Sequence, residues 1–240
     1  SFPKTNWNID LHGAFIEPDG SVVFNFEYQG AVKLSRCGEV LWTLPELNHH
    51  TISPASAGGY WIAGRRLGSK PNDATFWPLA TPERKRGRIE DDLILHVSAD
   101  GKPLESRSLF EILMDNGLEA LLTANGTDNS LAPLDDGEIL HLNSIVELTG
   151  ALAPAFPQFA AGDLVVSVRD LNLVLVLDPK TWKVKWRQIG PWIRQHNARF
   201  MSDGTISVFN NNLYTNQLAP NAVSDLSAPH QTNILAVDPK

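Results

Sequence analysis

The chain has one cysteine, Cys37, only two methionines, and no surplus of basic residues. A single thiol excludes an intrachain disulfide and, because exported proteins without disulfides are common in bacteria, leaves the redox compartment open. No stretch approaches the ~20 apolar residues of a membrane span. Ser1-Phe2-Pro3-Lys4 carries neither the apolar core nor the cleavage signature of a signal peptide, so the start predicts either a cytosolic protein or a leader outside the chain. Lys and Arg number 20 against 27 Asp and Glu, a net charge of -7 that argues against a broad footprint for nucleic acid or anionic membrane. The basic run Arg84-Lys85-Arg86-Gly87-Arg88 leads into Glu90-Asp91-Asp92, and together they read as a solvated, self-compensating loop. A small-molecule partner is the expectation left standing.

What the sequence does contain is a repeat. Leu11-His12 is followed by Pro18-Asp19-Gly20 and the alternating run Ser21 to Phe26; His49-His50 leads to Gly58-Gly59 and Tyr60 to Ala63; Gln195-His196 leads to Ser202-Asp203-Gly204 and Thr205 to Phe209. His12 to Gly20, His50 to Gly58 and His196 to Gly204 are all eight residues apart. Each copy describes a short strand opening on histidine, a tight turn whose glycine supplies positive φ, and a second apolar strand. A looser copy starts at His141, with the turn replaced by an Ala- and Pro-rich insertion, Thr149 to Gly162, before the strand Asp163 to Arg169. Insertions of this kind usually fall in surface loops. Further hairpins follow, such as Ala31–Leu34 with Glu39–Trp42, Leu93–Val97 with its partner beyond Gly101, and Leu173–Leu177 with Lys183–Trp186.

Two hairpins per unit make a four-stranded antiparallel blade, so the chain reads as all-β and as a β-propeller. The expected blades span about 1–44, 45–113, 114–190 and an incomplete 191–240, within a single domain or propeller segment, 1–240. Roughly three and a half blades is fewer than the ~4–8 of closed propellers, which predicts a segment of a larger ring. In this geometry the same position of each innermost strand faces the axis. His12, His50, His141 and His196 should therefore approach one locus. By strand alternation His49 should face away and support it, while His96 and His230 should lie outside. Trp42 and Trp186, closing the second hairpins, are expected to pack between blades. The run Asn210-Asn211-Asn212 reads as a turn rather than a cation site.

The ordered set His141-x-Asn143-Ser144-Ile145, then Ser167-x-Arg169, then Gln195-His196 resembles the bacterial PAPS-independent arylsulfotransferases, over essentially the whole chain. The resemblance implies a six-bladed propeller and transfer of a sulfuryl group from an aryl sulfate to a phenol through a sulfated histidine. It assigns His196 as the nucleophile, and His50, His141 and Arg169 as the groups around the sulfuryl. Asn143 and Arg169 are the expected substrate contacts, with His12 added by its place in the repeat register rather than by the family motifs. Location in the periplasm or envelope is also implied, with no cofactor. The oligomeric state is not indicated. Neutral imidazole is a competent nucleophile, and a guanidinium suits sulfate oxygens gaining charge. Asn197 departs from the aspartate usual after the nucleophile, and His141 to Arg169 is 28 positions, longer than the family pattern.

Two alternatives stay open. A propeller mouth could hold a small anion, sugar or protein partner without chemistry. Three histidines could instead bind zinc or copper, against which stand the charge of Arg169 and the absence of close His-x-His spacing, so no metal is expected.

Overall fold

A computed structural model describes residues 10–67, 90–122, 138–212 and 231–240. Among the described residues, runs of β-branched and aromatic residues between glycine turns form fifteen strands in four antiparallel sheets, each a blade of a β-propeller. The first blade is β1 (Leu11–Ile16), β2 (Val22–Phe26), β3 (Gly30–Leu34) and β4 (Val40–Leu44). The second is β5 (Asn48–Pro54), β6 (Tyr60–Leu67), β7 (Glu90–Val97) and β8 (Pro103–Ser108), followed by the helix α1 (Leu109–Asp115). β9 (Leu142–Glu147), β10 (Leu164–Val168), β11 (Leu173–Asp178) and β12 (Lys183–Ile189) make the third. β13 (His196–Phe200), β14 (Ile206–Asn210) and β15 (Asn233–Val237) make the last. Within each sheet the strands lie side by side in chain order, and the inner strands β1, β5, β9 and β13 touch in succession. The basic run Arg84–Arg88 and His230 lie outside the described residues.

Side chains alternate between the two faces of each blade, and three cores result, one per seam. Tyr60, Ile62, Leu95 and Val97 of the second blade meet Val23 and Ala31 of the first. From the opposite face, Trp61, Ala63 and Ile94 join Leu164, Val166 and Val168 of the third blade, with Leu109, Phe110, Ile112 and Leu113 of α1. Val165, Val174 and Val176 then face Ala198, Ile206 and Val208 of the fourth. A strand sandwiched between blades needs apolar residues on both faces, which is why β10 is buried throughout, whereas the outer β12 alternates between exposed and half-buried. Trp42 packs at a seam as expected: its ring lies 5.9 Å from that of Tyr60, and its indole N–H donates to Ala99 O at 3.0 Å.

The turn after each inner strand closes with the same two hydrogen bonds. Glu17 N donates to Ser21 O and Gly20 N returns to Glu17 O; Ala55 with Gly58 and Gly59, and Met201 with Gly204 and Thr205, repeat the pattern. The glycines sit at φ of +85°, +92° and +84°, where a side chain would be strained. The third blade keeps the motif despite its insertion, with Leu148 N donating to Asp163 O and Gly162, at φ +96°, donating to Leu148 O.

Two sequence expectations are corrected here. The insertion from Thr149 to Gly162 is not simply a surface loop: Phe156 and Phe159 are buried, and the Phe156 ring lies 5.0 Å from Phe200 of the last blade. It acts as an aromatic wedge in the third seam. Glu90-Asp91-Asp92 is not a solvated loop but the start of β7, with Asp91 and Asp92 fully buried. Polar partners make that possible, the Arg66 guanidinium and the donating Ser108 hydroxyl for Asp91, and His49 and Arg65 for Asp92. Phe156→Ala is expected to destabilise the protein by about 3–5 kcal/mol, read as a lowered urea midpoint. A loss under about 1 kcal/mol would contradict the wedge.

Candidate active site

Each inner strand begins with a break in its pairing; His12 and His50 occupy such breaks, and His141 and His196 flank them. The register slips between Leu11 and Ala14, between His49 and Ile52, and between His196 and Arg199; in the third blade it slips where β9 begins, just after His141. Such bulges re-aim side chains. His50, His141 and Asn197 take left-handed backbone, at φ of +51°, +56° and +54°, a conformation uncommon outside glycine that recurs at functional sites. Gly13 makes room for this, since a Cβ there would lie 1.8 Å from His50 O. Asn25 ties the two together, accepting from Gly13 N at 2.7 Å and donating to His50 O at 3.4 Å.

The consequence is a cluster of rings. His50 Nε2 lies 3.3 Å from His141 Nε2, and one ring nitrogen from each of His50, His141 and His196 falls within 4.8 Å of the others. The ring of His50 stacks on that of His196 at 5.7 Å, and His12 lies 4.4 Å from it at the rim, with Nδ1 3.5 Å from Glu27. His49 does not turn away. The bulge cancels the alternation expected of a straight strand, and His49 Nδ1 is 2.8 Å from His50 Nδ1. His96 instead stacks on Trp61.

Behind the rings stand acceptors that the sequence reading missed. Glu138 Oε1 lies 2.7 Å from His141 Nδ1 and also engages Arg65, while Asp92 lies 3.3 Å from His49 Nε2 and accepts from Leu142 N at 2.8 Å. A carboxylate three residues before a strand-initial histidine was the available signal for Glu138. Asp92 gave none, because a buried acid and a solvated one look alike in sequence. His196 Nδ1 is 3.2 Å from both Arg194 O and Asn211 Oδ1, so the asparagine run ends β14 and orients the ring. The exposed Asn197 accepts from Arg199 Nε at 2.9 Å, and that is its described side-chain contact. Asn143 is buried, its amide donating to Gln195 O at 2.7 Å, which fixes the residue before His196 across the seam.

Arg169 opens the short helical turn after β10. Its Nε is 2.7 Å from Asp170 and its Nη2 3.7 Å from Glu138. Burial pushes His141 down to about 4, although Glu138 pulls the other way. Burial, and then the charge of Arg169, hold His196 below 6.5; burial and the surrounding imidazoles depress His50 strongly. Burial opposes the charge of Glu138, yet His141 and Arg65 hold it well below the carboxylate range. At neutral pH the site presents neutral imidazoles, an ionised glutamate and a guanidinium.

Residues 14–240 match the arylsulfotransferase (ASST) family. The chain belongs to that family. No curated protein matches it. Among solved structures it is similar to a protein of unknown function from Bacteroides caccae, at 11% identity and a TM-score of 0.42, covering 99% of this chain and 80% of that one. It is also similar to RRP9 WD40 repeats (11%, TM-score 0.42) and to U3-55K (12%, TM-score 0.43), each over 84% of this chain. The chain spans about half the length of those two, covering 48% and 49% of them. Among the described residues no helix is long and apolar enough to cross a membrane.

Proposed function

We propose that this arylsulfotransferase moves a sulfuryl group from an aryl sulfate to a phenol through a sulfated His196, with the periplasm or envelope as its place of work. One observation carries the reading: both groups against His196 Nδ1 are acceptors, Arg194 O and Asn211 Oδ1, which puts the ring proton on Nδ1 and leaves Nε2 as the bare nucleophile. In the first half-reaction Nε2 attacks sulfur, an N–S bond forms, and the S–O bond to the aryl group breaks with its electron pair leaving on the phenolate. In the second, the acceptor phenol oxygen attacks sulfur, the N–S bond breaks, and the phenol proton passes to a neutral imidazole. His141 fits that last task because Glu138 beside its Nδ1 favours the protonated ring as it forms. Arg169 is the sulfate clamp, positioned close enough to lower both His141 and His196.

Incubation with 4-nitrophenyl sulfate and phenol should release 4-nitrophenolate and form phenyl sulfate in equal amounts. Binding of the aryl sulfate with no release, from neutral to alkaline pH, would make the propeller a binding module instead. The pH profile supplies a second check. Protonation removes the nucleophile's lone pair, so activity is lost as pH falls; because His196 is held below 6.5, the acid limb of kcat/KM should lie below that value. An acid limb above it would contradict the assignment.

A further inference from the structure

The protons of the ring cluster can be counted from its two ends. Asp92 Oδ1 lies 3.3 Å from His49 Nε2, which favours the ring proton of His49 on Nε2 and leaves its Nδ1 an acceptor; its neighbour at 2.8 Å, His50 Nδ1, then donates, and His50 Nε2 carries a lone pair. From the other end, Glu138 Oε1 at 2.7 Å favours the ring proton of His141 on Nδ1, which leaves a lone pair on His141 Nε2 as well. These two bare nitrogens stand 3.3 Å apart. The third, Nε2 of His196, is bare for the reason given above. Three Lewis bases therefore face a shared space that calls for an electrophile.

We propose that His50, His141 and His196 also bind a divalent zinc ion, and that zinc and aryl sulfate exclude one another from the site. Zn–N bonds of about 2.0–2.1 Å in a tetrahedron set ligand nitrogens about 3.3–3.4 Å apart, the separation His50 and His141 already have. His196 completes the face by drawing in up to about 1.5 Å from the 4.8 Å limit of the trio. Every ligand ring is held from behind: His141 by Glu138, His50 by His49 and through it Asp92, His196 by Arg194 O and Asn211. Carboxylates and carbonyls in that role orient zinc-binding imidazoles and raise their basicity. The sequence arguments against a metal were the charge of Arg169 and the absence of close His-x-His spacing; the fold supplies the proximity that the spacing lacks. In the fold that charge is met by Asp170 at 2.7 Å and by Glu138 at 3.7 Å, so it no longer opposes a dication unaided.

The metal half of the proposal stands without the transfer reading; the exclusion half rests on it. The test is calorimetric titration of zinc chloride into chelator-treated, untagged full-length protein, alongside cobalt substitution and turnover of 4-nitrophenyl sulfate. One equivalent of zinc should bind in the micromolar range or tighter, cobalt should give a tetrahedral visible spectrum, and zinc should raise KM for the sulfate without lowering kcat. Glu138→Gln, which keeps all three ligands, should weaken zinc by about 10–100-fold, and His50→Ala should abolish the stoichiometric site. If His50→Ala does not fold, Glu138→Gln still decides the matter. Zinc binding that neither substitution alters, or turnover indifferent to zinc, overturns the proposal and leaves sulfuryl transfer intact. Zinc bound as expected in a protein with no turnover retains the metal site and sinks the transfer reading.

Discussion

His196→Ala should lower kcat by roughly 10⁴-fold or more while leaving the protein folded. The ring is half-exposed, and its described contacts are a stack on His50 and two Nδ1 contacts at 3.2 Å, so its removal opens no deep cavity. Ground-state binding of the aryl sulfate persists through Arg169, His50 and His141, and KM should change far less than kcat. The asymmetry separates a nucleophile from a ligand-binding residue, whose loss would raise KM with kcat kept. Steady-state kinetics on 4-nitrophenyl sulfate read it directly. A variant retaining more than about a tenth of the wild-type kcat would remove His196 from the covalent role.

A large effect on stability is also expected at Asp92. This carboxylate is 1% exposed and joins the second blade to the third, accepting from Leu142 N and lying beside His49 and Arg65. Burial works against its charge, but His49, Arg65 and the Leu142 amide together hold it below its usual value. Asp92→Ala leaves the Leu142 amide without its acceptor and His49 without its carboxylate, both in the interior, and should cost about 3–5 kcal/mol. Arg65 retains Glu90 and Glu138, so most of that loss belongs to Leu142 and His49. Asp92→Asn keeps an acceptor oxygen and should lose less. Urea unfolding with an unchanged m value measures both. A cost for alanine below about 1 kcal/mol would show that the carboxylate is not what fixes the seam.

The spacing of eight residues from histidine to glycine was readable because both ends of it are backbone requirements. The histidine stands in or beside the bulge that opens an inner strand, and the glycine marks the positive φ that closes its turn. In the third blade the spacing fails although the same two turn bonds survive, since Leu148 and Gly162 close around an insertion. The insertion itself was misread: Phe156 and Phe159 look like loop residues until the facing Phe200 is known. His49 shows a different limit, for alternation holds along a regular strand and lapses at the bulge beside it. Asp92 and Asn211 were invisible for a third reason, because an acid or amide becomes an orienting group only through long-range packing, whereas Glu138, three residues before His141, left a local signal. The rings were legible in sequence; what aims and polarises them was not.

The central claim is a covalent relay through His196, and mass spectrometry of the protein quenched after brief exposure to 4-nitrophenyl sulfate without acceptor tests it most directly. The account predicts a burst of phenolate stoichiometric with protein and a sulfuryl-sized mass increment on the peptide carrying His196, discharged when phenol is added. Phenolate turnover with no increment on that peptide, or an increment on another residue that phenol discharges, would contradict it.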